Sequence, residues 1–145
     1  RVEAEVRDAR REIELPQRGT ATVLVAEDEP LVRAQVTRIL QGAGYTVLEA
    51  ENGAHAVELF REHVESIDLV VLDAIMPLCN GWQAYVQIRQ LKPSIHALFT
   101  TGYSANVLPA DFMAHGARLL SKPFRATELL GKVRELLSSK RSATK

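Results

Sequence analysis

At residues 69–77 the chain reads Leu-Val-Val-Leu-Asp-Ala-Ile-Met-Pro. An unbroken apolar run rich in branched side chains predicts a strand buried on both faces, as strands are in a parallel sheet. The run ends at Asp73. An acidic residue directly after such a strand lies at the carboxyl edge of the sheet, where open parallel sheets bind their ligands. The stretch therefore predicts both a fold class and the position of a site.

Further short runs rich in apolar or branched residues lie on both sides of this one along the chain. They cover residues 22–26, 46–49, 97–100 and 117–120. Amphipathic segments of helix length alternate with the runs, at 30–40, 56–60, 82–88 and 128–137, and a poorly patterned segment covers 104–115. Alternation of this kind, with right-handed crossovers, predicts an α/β fold. We expect a flavodoxin-like, doubly wound (βα)5 architecture with five parallel strands in the order 2-1-3-4-5.

The domain organisation follows from the length and the limits of this pattern. A chain of 145 residues forms one ordinary core rather than two. We expect a single domain over residues 21–139 and a frayed polar tail over 140–145. Residues 1–20 contain apolar side chains spaced three and four apart among dense charges, so they are either a short helix or a charged linker.

Composition excludes several classes of function. Eighteen basic residues balance eighteen acidic ones, so no overall field draws the chain to nucleic acid or to an anionic membrane. Cys79 is the lone cysteine, and no zinc-ligand spacing is present. The apolar runs are far shorter than a bilayer span. We expect a cytoplasmic domain without membrane contact. The opening Arg1 suggests a segment of a longer chain, which can be membrane-anchored outside this domain.

The residues that follow four of the five predicted strands form a coherent set. Glu27 and Asp28 follow the first strand, Asp73 the third, Thr101 the fourth and Lys122 the fifth. Strands one and three are neighbours in the expected order, so three carboxylates converge at one edge. Such a cluster must share protons or bind a cation, and oxygen ligands suit Mg²⁺ better than zinc.

Phosphoryl transfer fits this set of residues. It needs in-line positioning and neutralisation of charge on the phosphoryl oxygens, and little covalent help from the protein. Asp73 is central and is the candidate nucleophile. Lys122 offers a positive charge and Thr101 a hydroxyl donor to a phosphoryl group on Asp73.

From about Ala21 to Leu137 the chain resembles the receiver domains of response regulators and hybrid histidine kinases. The matching segments are Val23-Leu24-Val25-Ala26-Glu27-Asp28-Glu29-Pro30, Leu69-Val70-Val71-Leu72-Asp73-Ala74-Ile75-Met76-Pro77, Thr101-Gly102-Tyr103 and Lys122-Pro123-Phe124. The resemblance implies a phosphoprotein that accepts a phosphoryl group on Asp73 from a histidine kinase or a histidine phosphotransfer domain, with Mg²⁺ or Mn²⁺ as cofactor.

The resemblance also implies a role for each site residue. Glu27 and Asp28 would be the acidic metal pair, Ile75 would lend the metal its backbone carbonyl, Thr101 would be the switch hydroxyl and Lys122 the phosphate contact. The family further suggests a cis Lys122-Pro123 peptide. Ile13-Glu14-Leu15-Pro16 resembles the closing strand of a kinase ATP-binding domain, so we expect the C-terminal receiver of a hybrid kinase.

Two positions bear on how such a receiver would behave. Leu119 stands where many receivers have an aromatic rotamer switch, which makes coupling by an aromatic flip doubtful. Tyr103 and Ile75 flank the expected phosphoryl group and could crowd the hydrolytic water. This predicts a long-lived phosphoryl state.

Other functions are weaker readings of the same residues. A flavin-phosphate binder would need a first loop rich in Ser, Thr and Gly, but here that loop is acidic. An aspartyl-phosphate hydrolase usually has a second acid two residues after the nucleophile, where this chain has Ile75. The remaining alternative is a phosphorylation-independent interaction module with the same fold. No kinase glycine box or DNA-binding unit appears, so we expect no enzyme beyond slow self-dephosphorylation and no direct nucleic-acid contact. The sequence leaves both a monomer and a homodimer open.

Overall fold

A computed structural model describes residues 21–76, 79–102 and 117–143, with side chains to residue 138. The N-terminal segment 1–20 and the helix expected over 104–115 lie outside the described residues, as do Pro77 and Tyr103. Among the residues described, no helix is long and apolar enough to cross a membrane.

The described elements alternate between strand and helix along the chain. The strands are β1 (Thr22–Ala26), β2 (Thr46–Ala50), β3 (Leu69–Asp73), β4 (His96–Thr101) and β5 (Ala117–Ser121). The helices are α1 (Pro30–Gly42), α2 (Gly53–Glu62), α3 (Gly81–Leu91) and α4 (Ala126–Ala143). Each strand lies within one residue of its predicted bounds. The last helix begins two residues before Glu128 and continues past Leu137, where the sequence pattern had ended it.

All five strands are parallel and stand in the order β2-β1-β3-β4-β5. The predicted doubly wound fold is therefore confirmed. Its switch point lies between β1 and β3, because the chain leaves the sheet in opposite directions after these two strands. The carboxyl ends of β1 and β3 consequently share a crevice at one edge of the sheet.

The sheet has a separate apolar core on each face. Leu24 and Val70 point to the face covered by α2 and α3, where Phe60, Tyr85 and Ile88 are fully buried. The alternate strand residues point to the other face and pack with α1 and α4; they include Val23, Val25, Leu69 and Val71. Burial of both faces explains why the central strands β1 and β3 are almost continuously apolar.

Helices α2 and α3 begin at side-chain caps, whereas α1 does not. The Asn52 side chain accepts a hydrogen bond from the His55 N–H at 2.8 Å. Asn80 and Gln83 exchange hydrogen bonds at 2.9 Å in a capping box. At α1 the N-cap residue Glu29 makes no side-chain cap. The start of α1 must be held by other contacts.

Phe60 gives a direct test of the α2 and α3 core. It is fully buried, so we expect Phe60→Ala to lower the free energy of unfolding by about 3–5 kcal/mol through lost burial and a residual cavity. Urea denaturation followed by circular dichroism measures this change. Val86→Ala on the exposed side of α3 is the control and should stay within about 0.5 kcal/mol of the parent protein. Equal effects of the two substitutions would contradict this assignment of the core.

Candidate functional site

Three carboxylates meet at the carboxyl ends of β1 and β3. One oxygen atom from each of Glu27, Asp28 and Asp73 lies within 4.8 Å of the other two. Glu27 and Asp73 are buried, while Asp28 is exposed. The structure therefore brings together the three acidic residues that the sequence singled out, with one side of the cluster open to solvent.

Lys122 bridges the two buried carboxylates. Its ammonium group lies 3.0 Å from Glu27 Oε1 and 3.4 Å from Asp73 Oδ2. The backbone N–H of Lys122 donates to the Thr101 carbonyl at 2.7 Å, which fixes the lysine to the end of β4. The Lys122-Pro123 peptide is cis, as the family resemblance suggested. A single positive charge thus separates two acids that would otherwise repel each other.

The negative charge of the cluster is incompletely neutralised, which favours binding of a cation. Burial and the neighbouring charge of Asp73 raise the pKa of Glu27 to about 7. Burial by itself lowers the pKa of Lys122, but the hydrogen bond to Glu27 and the charge of Asp73 outweigh it, so the pKa of Lys122 is raised. One lysine does not fully neutralise the acids around it.

Asp73 is held by the loop that follows β3. Its Oδ1 accepts a hydrogen bond from the Ile75 N–H at 3.3 Å, and the Ala74 N–H donates to the Thr100 carbonyl at 2.8 Å. Thr101 is buried at the end of β4. These backbone contacts fix the carboxylate at the mouth of the crevice, beside the strand end that carries Thr101.

The crevice is a cavity of about 390 Å³. Its lining consists of Glu27, Asp28, Glu29, Val32, Asp73, Ile75, Gly102 and Lys122. Carboxylate oxygens are the ligands that Mg²⁺ prefers, and the open side at Asp28 leaves room for water and for a second ligand. The donor set therefore fits a hard divalent cation. It offers no thiolate or imidazole among the described residues.

Leu119 and the aromatic residues of α3 pack on the sheet face that α2 and α3 cover. Leu119 is partly buried, pairs in register with Phe99, and packs on the same core as Trp82. The rings of Trp82 and Phe99 are 5.8 Å apart. Trp82 and Tyr85 pack in the core rather than lining a cofactor site.

Gly81 is a site-supporting residue that the sequence pattern did not reveal. A side chain at this first position of α3 would collide with the Asp73 carbonyl oxygen and come within 3.1 Å of the Ala74 Cα. The Gly81 N–H also donates to the Ala74 carbonyl at 3.1 Å. Helix α3 can approach the loop after β3 this closely only because residue 81 has no Cβ. In the sequence Gly81 reads simply as part of a loop.

The doubly wound parallel sheet, with three carboxylates and a lysine at its switch point, has the flavodoxin-like fold class. Residues 23–134 match the family described as the response regulator receiver domain. The chain belongs to that family, which consists of two-component signalling domains. Receiver domains of this kind are generally signalling modules rather than enzymes.

Two curated proteins of Brucella abortus (strain 2308) illustrate the relationship. The sensor kinase CckA is 40% identical over 123 residues, which are 82% of this chain and 13% of the kinase. The response regulator receiver protein CpdR is 33% identical over 116 residues, which are 79% of this chain and 95% of that protein. The chain thus spans a small part of the kinase and nearly all of the single-domain regulator.

A solved structure gives the same result. The crystal structure of the receiver domain from the hybrid histidine kinase CckA has a TM-score of 0.70 at 31% identity, over 81% of this chain and 99% of that domain.

Gly81→Ala tests the close approach of α3 to Asp73. We expect the free energy of unfolding to fall by about 1–3 kcal/mol, because the added methyl group forces the backbone apart. The amide resonances of Asp73 and Ala74 should also shift in an NMR correlation spectrum. Gly131→Ala is the control, since nothing lies within 4 Å of a Cβ at that position in α4, and it should stabilise the protein by about 0.5–1 kcal/mol. Stabilisation by both substitutions would disprove the close contact.

Proposed function

We propose that this receiver accepts a phosphoryl group on Asp73 from a phosphohistidine of a histidine kinase or a histidine phosphotransfer domain. The observation that carries the proposal is the contact of Lys122 with both Glu27 and Asp73 at the open end of an acidic crevice. A flavin phosphate would meet three carboxylates there. A phosphorylation-independent interaction module would have no use for this buried, charge-strained set of residues.

Glu27, Asp28 and Asp73 would hold Mg²⁺ or Mn²⁺, together with the backbone carbonyl of Ile75. The bound cation supplies positive charge that lets an anionic donor approach the carboxylates and that offsets charge on the phosphoryl oxygens. Asp28 is exposed and presents its carboxylate to solvent, so it can take up the ion without local unfolding.

The transfer itself is a displacement at phosphorus. A carboxylate oxygen of Asp73 attacks the phosphorus in line with the bond to the donor imidazole. That P–N bond breaks, and the imidazole nitrogen keeps its electron pair and takes up a proton from solvent. The Ile75 N–H, which already donates to Asp73 Oδ1, helps to hold the carboxylate in the attacking orientation.

Lys122 and Thr101 would stabilise the product. The Lys122 side chain is 24% exposed and contacts Asp73 Oδ2 in the crevice. Its ammonium group can therefore move outwards and bind an oxygen of the new phosphoryl group. The Thr101 hydroxyl would donate to another phosphoryl oxygen. Movement of Thr101 would then displace the end of β4 and the surface beyond it, and so regulate a partner or the rest of a hybrid kinase.

The readout would differ from an aromatic flip. Leu119 has no ring to rotate and packs beside Phe99 in the core. We infer that β4 and β5 transmit the change by a small backbone shift instead. Ile75 is 49% exposed beside Asp73, where its apolar side chain would hinder an attacking water. A phosphoryl state that lasts longer than seconds is expected for this reason.

Phosphoryl uptake is tested by incubating the protein with acetyl phosphate, with and without Mg²⁺, and measuring intact mass. We expect a gain of one phosphoryl group that requires Mg²⁺ and is abolished in Asp73→Asn. The control is Asp68→Asn, immediately before the start of β3, where the carboxylate accepts a hydrogen bond from the Thr22 N–H. Asp68→Asn should be phosphorylated like the parent protein. No mass gain in the parent protein would favour the phosphorylation-independent interaction module.

Metal binding is tested by thermal unfolding. A cation at about ten times its dissociation constant stabilises the folded state by about 1.4 kcal/mol, which should raise Tm by about 3–6 °C for a domain of this size. We expect this rise with Mg²⁺ and its loss in Asp28→Asn. Sodium chloride of matched ionic strength separates specific binding from screening. An equal rise in Asp28→Asn would place the cation elsewhere.

A further inference from the structure

Arg33 contacts the backbone of the loop that carries Glu27 and Asp28. Its Nη1 donates to the Glu27 carbonyl oxygen at 2.7 Å, and its Nε lies 3.5 Å from Glu49 Oε1 on β2. The Arg33 side chain is only 17% exposed, whereas that of Glu49 is 44% exposed. We propose that Arg33 is a positioning residue for the metal site, which fixes the peptide between Glu27 and Asp28. This inference rests on the proposed metal-dependent function.

The peptide that Arg33 contacts joins two of the three acidic residues. The Glu27 carbonyl belongs to the same planar unit as the Asp28 N–H. Its direction therefore sets where the exposed Asp28 carboxylate can reach. A charged donor at 2.7 Å makes a short hydrogen bond of the stronger kind. Without it, this peptide plane is free to turn towards solvent.

Every polar group of Glu27 is then fixed by a named partner. Its N–H donates to the Ala50 carbonyl at 3.1 Å, which extends the β1–β2 ladder by one residue. Its carboxylate accepts from Lys122 at 3.0 Å and from the Glu29 N–H at 3.2 Å. Arg33 supplies the remaining contact, at the carbonyl. Glu27 is therefore oriented from both its backbone and its side chain.

Arg33 places a positive charge beside the site without binding the carboxylate oxygens that would hold the metal. Lys122 binds the carboxylates directly and must compete there with a divalent cation. Arg33 binds a carbonyl instead, and Glu49 provides its counter-charge. The guanidinium can thus stay in place when the cation binds. This division of roles is what a supporting contact behind a metal ligand requires.

The contact also explains how α1 begins. Its N-cap, Glu29, lacks a side-chain cap. The Arg33 N–H makes the first turn by donating to the Glu29 carbonyl at 2.9 Å, and the Arg33 side chain folds back over that turn to reach Glu27. One residue therefore joins the start of α1 to both the metal loop and β2.

The test is the Mg²⁺ dependence of phosphorylation by acetyl phosphate, together with Mn²⁺ binding followed by electron paramagnetic resonance. We expect Arg33→Ala to raise the half-saturating concentration of either metal by about 10-fold or more, as is usual when a supporting contact to a metal ligand is lost. At saturating Mg²⁺ the phosphorylation rate should return close to that of the parent protein. Arg33→Lys, which keeps the charge but loses the fork of donors, should recover part of the affinity.

The matched control is Arg118→Ala. Arg118 also combines a backbone carbonyl contact, at 2.9 Å to Ala117, with a glutamate partner, Glu135, at 4.0 Å. It lies on β5 outside the metal site, so its removal should leave the half-saturating metal concentration unchanged. Metal-free Tm values show whether the variants are folded. If Arg33→Ala is unfolded, Arg33→Gln takes its place.

The possible outcomes separate this inference from the function on which it rests. Parent-like metal dependence in the Arg33 variants, or an equal shift in Arg118→Ala, overturns the positioning role while leaving phosphorylation intact. A lower maximal rate at saturating Mg²⁺ with unchanged half-saturation overturns it as well. Absence of phosphoryl gain in the parent protein, with Mn²⁺ binding still weakened in Arg33→Ala, overturns the proposed function and supports the inference. Absence of Mn²⁺ binding in the parent overturns both.

Discussion

The repulsion between two buried carboxylates, Glu27 and Asp73, is the constraint on which the rest of this site depends. Neither can be moved into water without dismantling the end of a central strand, because both are buried at the junction of β1 and β3. The fold balances the pair with one lysine and leaves the third acid, Asp28, exposed. An incompletely neutralised cluster that opens to solvent on one side favours binding of a cation.

Strand alternation delivers these side chains to one face of the sheet. Val25, Val71 and Leu120 all pack in the core beneath α1 and α4, and Glu27, Asp73 and Lys122 each follow two positions later. Because side chains two apart point the same way, the core register also sets the site. A slip of one residue in any of these strands would separate the lysine from the acids. The apolar core therefore specifies the polar chemistry above it.

Much of this could be predicted from the sequence because it depends on local pattern. Continuous apolar runs identify strands buried on both faces, and the residue after each run lies at the sheet edge where ligands bind. Leu69 to Asp73 alone sufficed to place the acceptor candidate. The extension of α4 beyond Leu137 was not predicted, since its last turns are polar and carry no periodic apolar signal. Helix ends of that kind depend on contacts and solvent more than on pattern.

The supporting contacts could not be predicted, since they join residues whose sequence context is ordinary. Arg33 sits among the charged positions of an amphipathic helix and reads as solvent-facing, yet its guanidinium is folded onto a carbonyl. Gly81 has the sequence context of an ordinary loop glycine, yet it permits contact between α3 and the backbone of Asp73. Both act on backbone atoms, which are the same in every residue and leave no trace in composition. The acids and the lysine can therefore be identified from the sequence. The contacts that position them can be identified only in the folded chain.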